Sequence, residues 1–455
     1  MAGRLIESLA TTDELAELFS DESVLQAMLD FEAALARAEA GVGIIPRAAA
    51  EKIAATANAH FLNAADISRE ALRAGTPGIP LVKALTQRVR VSDPAAAGFV
   101  HWGATSQDVA DTALVLLLKR AQSIFERDLT RLETALRGLA EKHADTVMVG
   151  RTLMQAAPPI TFGLKAAGWL GSIRRSHHRL NAGFADALII QFGGASGTLA
   201  SLGDQGIVVG QSLAHELGLA YPDAPWHTHR DRLPALLCDC GVLTGSLSKM
   251  ARDISLLMQN EIGEVSESRE HRRGGSSTMP HKHNPIGCSL SLAAAYRVPG
   301  LVATFLSGMA QEHERGTGGW QAEWSTVAAL IQSTGLAIAS MTEVAEGLSV
   351  NAAKMRENIE ATGGTIFAEK AMMVIGRKLG RDAAHSLLED ATRKSIAENR
   401  RFSEVLADMP EIAAYLDAET LRNLEDPEKY LGVANEFRKR LLSSLKPRDS
   451  KRERE

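Results

Sequence analysis

At 455 residues, 45% of them hydrophobic and 23% charged, the chain is long enough for two or three domains with extensive cores. A formal net charge of −5 with 5% aromatic residues excludes the basic, aromatic-studded surface of a nucleic-acid binder. Three cysteines, Cys238, Cys240 and Cys288, suit a reducing compartment and exclude a disulfide scaffold.

In chain order, the N-terminal MAGRLIESLATTDELAELFSDESV interrupts its apolar positions with acids before a secretory core forms. No stretch comes near the roughly 18 apolar residues of a membrane span, so a cytoplasmic protein without a membrane partner is expected. From Asp111, the residues Leu114, Leu118, Ala121, Phe125, Leu132, Leu136 and Leu139 mark one face of a helix reaching about His143. A further helix is expected after Pro158-Pro159, where proline suits a first turn. Leu243, Leu247, Met250, Ile254 and Leu257 alternate steps of four and three, the seam of packed, nearly parallel helices. Another helix follows Pro285, carrying Leu290, Ala294 and Leu301, with a kink expected at Pro299. Glycine-rich interruptions at 77–80, 193–197, 272–277, 315–319 and 362–364 predict loops. The fold class is therefore all-α. Its expected division is an N-terminal helical domain (1–110), a central helix bundle (111–360), a C-terminal helical domain (361–445) and a mobile charged tail (446–455).

Residues 274–285, GGSSTMPHKHNP, concentrate the chemistry. Two glycines free the backbone, Ser276 and Ser277 offer hydroxyls, Lys282 a cation and Asn284 an amide, a set able to cradle an oxyanion. The bland alternative for such a stretch is a polar linker. This run resembles the loop G-S-S-x-M-P-x-K-x-N-P of the fumarase/aspartase superfamily and matches it at every specified position. The resemblance implies that Ser276 carries the proton at a carbon next to a carboxylate, while Lys282, Ser277, His281 and Asn284 surround that carboxylate.

Two more blocks extend the resemblance. HWGATSQDVADTAL, from His101 to Leu114, is similar to the block in which His101, Thr105, Ser106 and Gln107 are expected to bind substrate; Thr105 or Ser106 also suits a helix N-cap. GRTLMQ, from Gly150, is similar to G-R-T-H-x-Q, which implies binding roles for Arg151, Thr152 and Gln155 and puts Leu153 where relatives carry histidine. Residues 193–203, 313–315 and 426–432 resemble the adenylosuccinate lyase branch. The family's architecture implies a homotetramer around a bundle of about twenty helices, with each active site assembled from several chains.

The shared chemistry of the family is proton transfer alpha to a carboxylate through an aci-carboxylate dianion. Amines and hydroxide leave better when protonated, whereas a carboxylate, with a conjugate acid near pKa 4, departs unassisted, which suits Leu153. MPHKHNP, with His283 where the nucleotide branch has arginine, resembles the muconate cycloisomerase branch, and Arg315 is expected to meet a further carboxylate. The implied reaction is lactonisation of 3-carboxy-cis,cis-muconate in aromatic-acid catabolism, on a di- or tricarboxylate substrate. The alternatives are adenylosuccinate lyase-like β-elimination and a crystallin-like structural role. No cofactor is expected. No metal is expected either, because His281-x-His283 and His227-x-His229 lack a third-ligand pattern.

Overall fold

The computed structural model describes residues 5–268, 274–275 and 278–443. The chain is 71% helical, with 18 α-helices among the described residues and little sheet. The principal helices are α1 (Asp13–Leu18), α2 (Asp21–Gly41), α3 (Arg47–Thr56), α4 (Ala64–Ala74), α5 (Gly78–Ser92), α6 (Ser106–Lys142), α7 (Phe162–Ala187), α8 (Gly206–Leu217), α9 (Arg232–Leu257), α10 (Ile286–Ser307), α11 (Gly319–Glu346), α12 (Ala352–Glu360), α13 (Ala368–Leu379) and α14 (Arg381–Glu398). Two compact units result: residues 1–130, 176–248 and 290–340 form the first, and residues 131–175, 249–289 and 341–455 the second. The expected tail at 446–455 lies outside the described residues.

In the first unit the apolar stripe of α6 is buried as its spacing requires, with Leu118, Ala121 and Phe125 at most 1% exposed. The stripe of α9 behaves likewise at Leu243 and Leu247. Helix α2 starts cleanly because the Ser20 hydroxyl accepts the Ser23 N–H and two acids occupy its first turn. It packs against α3 and α8, and its Met28, Phe31 and Leu35 are buried. In the second unit Val147, Val149, Phe367, Ile375, Leu388, Phe402 and Leu406 form one core. Burial of side chains this size contributes roughly 1.5–3 kcal/mol each before chain entropy is counted.

Three local expectations need correction. Residues 77–80 open α5 instead of forming a loop: Pro77 holds φ at −74° and the Thr76 hydroxyl accepts the Gly78 N–H at 3.2 Å, which together start a helix. Pro158 and Pro159 do not begin α7. They lie in β2 (Gln155–Thr161), paired antiparallel with β1 (Val147–Thr152) around an irregularity between Met148 and Gly150. Prolines are tolerated in such a two-stranded ribbon because it has free edges, and Thr161, whose hydroxyl accepts the Leu164 N–H, caps α7. At Gly150 a Cβ would fall 2.3 Å from the Pro158 carbonyl, so only glycine permits this pairing. Finally, α10 and α11 are long and apolar enough to cross a membrane, which overturns the expectation that no stretch comes near. Composition does not separate a bundle helix from a span: α11 is 72% buried inside the protein, whereas α10 is 28% buried and runs through Pro299.

Candidate active site

The sequence block His101–Gln107 is held in the first unit by a buried acid that sequence reasoning missed. Asp108 is fully buried and accepts the backbone N–H groups of Thr105 (3.0 Å), Gly193 (3.0 Å) and Gly194 (2.9 Å), while His227 Nε2 lies 2.7 Å from its Oδ1. Thr-x-x-Asp at 105–108 is a capping-box pattern, so the Thr105 contact had a sequence signal and the others had none. Gly193 must lack a side chain there, since a Cβ would lie 2.7 Å from the His227 ring. The knot presents Thr105 and Ser106, half-buried, at the start of α6 with hydroxyls that take no partner among the described residues.

Behind the knot lies a buried ionic network. Arg230 is fully buried and donates to Asp111 at 2.7 and 3.1 Å and to Glu323 Oε1 at 3.1 Å, with its guanidinium 4.5 Å from the Trp226 ring centroid. Burial works against the charge, but the two carboxylates outweigh it and hold Arg230 protonated. Trp320 donates its indole N–H to Asp111 at 2.9 Å and is buried. Trp320 is therefore a packing residue of this network.

Two expected ligands are engaged within the chain. Gln107 is 2% exposed and donates its amide to the His227 carbonyl (2.9 Å) and Asp111 (3.2 Å). Its side chain braces the block instead of facing open space. Arg151, in the second unit, makes a bidentate pair with buried Glu264 at 2.7 and 3.0 Å, and Asn358 donates to the same carboxylate. Arg315, in the first unit, gives one nitrogen to the Gly194 and Ala195 carbonyls and keeps its buried Nε without a partner.

In the second unit His281, Lys282 and Asn284 line one polar cavity of about 1010 Å³, together with Met279, His283 and residues of 255–266 and 349–352. Ser276 and Ser277 lie outside the described residues. The neck of the loop is closed by the Asn284 N–H donating to the Gly274 carbonyl (2.8 Å) and a bridge between Gly275 and His283. Gly274 has φ +76°, and a Cβ would sit 2.4 Å from the Asn284 carbonyl. The N-terminus of α10 is already occupied: buried Glu267 accepts the N–H groups of Gly287 and Cys288, each at 3.0 Å. The polar groups that remain open at this end of the helix are thus side chains. The side chains of Lys282, Asn284 and His281 make no hydrogen bond or ion pair with another described residue.

The hairpin β1–β2 closes on the pair Thr152 and Gln155, with Leu153 and Met154 as its two-residue turn. Both have left-handed φ, +50° and +66°, where asparagine and glycine are usual. Leu153 is 97% and Met154 72% exposed, so within a single chain neither side chain lines a pocket. Six non-glycine residues have positive φ among the described residues, and His101, Leu153, Met154, Leu199 and His313 all belong to the family-like blocks. The sixth, Asn399, terminates α14. Backbone strain of this kind concentrates at functional sites.

Comparison with known proteins shows the family. A family described as lyase matches residues 7–300, and one described as adenylosuccinate lyase C-terminus matches residues 364–441. A 3-carboxy-cis,cis-muconate cycloisomerase from Bradyrhizobium diazoefficiens is 46% identical over 93% of this chain and 94% of its own length. A nitrosuccinate lyase from Streptomyces davaonensis is 40% identical over 91% of this chain and 89% of its own. The crystal structure of the 3-carboxy-cis,cis-muconate lactonizing enzyme from Pseudomonas putida superposes with a TM-score of 0.90 at 45% identity, covering 96% of this chain and 98% of that one. The chain belongs to the fumarase/aspartase superfamily of lyases.

Proposed function

We propose that this protein is an intramolecular lyase that lactonises 3-carboxy-cis,cis-muconate to a carboxymuconolactone. The observation that carries this reading is the 46% identity to a muconate cycloisomerase along nearly the whole of both chains. Leu153, an apolar residue at the position where relatives place an acid, supports it.

In the forward direction a carboxylate oxygen of the substrate attacks the alkene carbon beta to a second carboxylate. The alkene electron pair moves to the alpha carbon and onto that carboxylate, giving an aci-carboxylate dianion. Lys282 and Asn284 stabilise the added charge as fixed donors, and Ser276 delivers a proton to the alpha carbon. His101, Thr105, Ser106 and Arg315 bind the remaining carboxylates, whereas Gln107 and Arg151 hold their blocks in shape. Thr152 and Gln155 present the hairpin. The nucleophile is its own carboxylate, already ionised at neutral pH, so no acid is needed at position 153.

The same site suits a second reaction, β-elimination of a weakly basic anion from a succinate derivative, and the nitrosuccinate lyase relative favours considering it. Nitrite, like a carboxylate, leaves without protonation. We further propose a cytoplasmic homotetramer with sites shared between chains. Support comes from α10, apolar yet only 28% buried, and from the strained, exposed tip at Leu153, both of which suit burial by another copy.

The test is turnover of 3-carboxy-cis,cis-muconate by the purified protein, followed as loss of diene absorbance, with equal rates after exhaustive chelation. Adenylosuccinate and nitrosuccinate are run beside it. A persistent diene with cleavage of either alternative would replace the proposed substrate. Mixing Ser276→Ala with an inactive Thr152 variant tests the shared site: recovered activity is expected, and none despite subunit exchange would count against it.

A further inference from the structure

Glu32 lies on α2 with its side chain fully buried, one carboxylate oxygen 2.6 Å from His101 Nδ1 and the other without a partner. A buried carboxylate stays ionised only when a partner compensates its charge, and here His101 is the partner. The backbone is bent to deliver that ring, for His101 sits at φ +61°, a conformation unusual for a residue with a side chain. Nδ1 being occupied, Nε2 is the free end: the His101 side chain keeps 17% of its surface exposed, and Nε2 takes no partner among the described residues.

We propose that Glu32 is a positioning residue for His101, fixing the ring with Nδ1 toward the acid so that an Nε2–H is presented to a carboxylate of the substrate. The proposal rests on the polycarboxylate reading given above. A histidine oriented by a buried carboxylate has a set tautomer and direction, so its donor is in place before the substrate arrives.

The charge environment works in the same direction. Burial alone would lower the His101 pKa, but the charge and hydrogen bond of Glu32, with Asp108 adding, outweigh it and hold the ring above its ordinary value. Asp108 faces His101 from the start of α6 and is itself engaged by His227 and three backbone N–H groups. Glu39, seven residues along α2 from Glu32, has both oxygens buried without partners. Its carboxyl is pushed up to about 9, first by burial and then by Glu32. It is therefore uncharged at neutral pH and adds no second negative charge to that helix face. His101 thus stays an imidazolium donor to higher pH than a free histidine, and loss of Glu32's charge moves that limit to lower pH.

The experiment uses the full-length protein and two readouts. Diethyl pyrocarbonate modifies only unprotonated imidazole, so the pH midpoint of His101 modification, followed by peptide mass, reports the ring without any substrate. That midpoint is expected to fall by about one unit in Glu32→Gln and by less in Glu32→Asp. An unchanged midpoint overturns the proposal. In turnover, KM for the muconate at pH 8 is expected to rise about tenfold in Glu32→Gln, equivalent to about one unit of pKa, with kcat within about twofold. The gap narrows as the pH falls and the variant's ring gains its proton. Glu32→Gln should add nothing to His101→Gln; an additive loss, or an equal loss of kcat at every pH, would make Glu32 a packing residue and overturn the proposal. If Glu32→Gln does not fold, Glu32→Asp carries the test, and no fall in its midpoint is decisive against. Absence of muconate turnover by the unmodified protein sinks the functional reading alone, because the modification midpoint still judges the pair.

Discussion

The two family-like regions that hold the candidate site residues are built in opposite ways. In the first unit, Asp108 takes three backbone N–H groups and a histidine, and Arg230 joins Asp111 to Glu323, so nearly every polar group behind His101–Gln107 is paired and buried. In the second unit, the side chains of Lys282, Asn284 and His281 line an open cavity without partners among the described residues, and the hairpin carries Leu153 exposed on a strained turn. The contrast separates positioning from chemistry. Groups that orient a ligand gain from a rigid, satisfied surround, whereas groups that meet developing charge must remain unpaired until the ligand arrives.

That contrast is open to attack first at the paired region. Arg230→Met leaves Asp111 and Glu323 as buried charges without their cation, and loss of about 3–5 kcal/mol is expected, read as a lower urea midpoint. A loss under about 1 kcal/mol would mean that the network is not what holds the block. At the unpaired region, Ser276→Ala and Lys282→Ala should each reduce turnover by about a hundredfold or more, roughly 2.7 kcal/mol of barrier, with the urea midpoint unchanged. A near-normal rate in Ser276→Ala removes that hydroxyl from proton transfer; a fallen midpoint in Lys282→Ala would show that the loop lysine holds structure after all.

The smallest effect is expected at Leu153. Leu153→His restores the side chain that relatives carry but should not raise the lactonisation rate, because the attacking carboxylate needs no acid. A gain of about tenfold, about 1.4 kcal/mol, would show that an acid at the hairpin tip helps. The companion Leu153→Gly relieves a left-handed φ that costs a leucine about 1–2 kcal/mol, so the isolated fold should not suffer; any loss of activity in it reports what the side chain does at the tip.

How much of this was legible beforehand differs between fold and site. The stripes of α6 and α9 were readable because helical burial follows a local period of 3.6 residues. The hairpin was not, since Pro158-Pro159 reads locally as a helix start and only the bulge opposite Gly150 gives those prolines a place in a strand. The family-like loop at 274–285 was legible because its residue types and spacing lie within twelve consecutive positions. Glu267, which caps the helix after that loop, and Glu264, which pairs with Arg151, carried no local pattern.

By itself, then, the sequence determined the helical architecture and the family, both of which are encoded in periodicity or in short runs, and it supplied the candidate residues for meeting a carboxylate. Only the tertiary structure decided which of those residues are free. Gln107 and Arg151 read as ligands but are held by Asp111 and Glu264, and Glu32 was silent until the fold set it against His101, 69 positions away. The physical reason is that hydrogen-bond partners and burial are properties of space. A carboxylate's role depends on what lies within about 3 Å of it, and in this chain those neighbours come from segments tens to hundreds of residues apart.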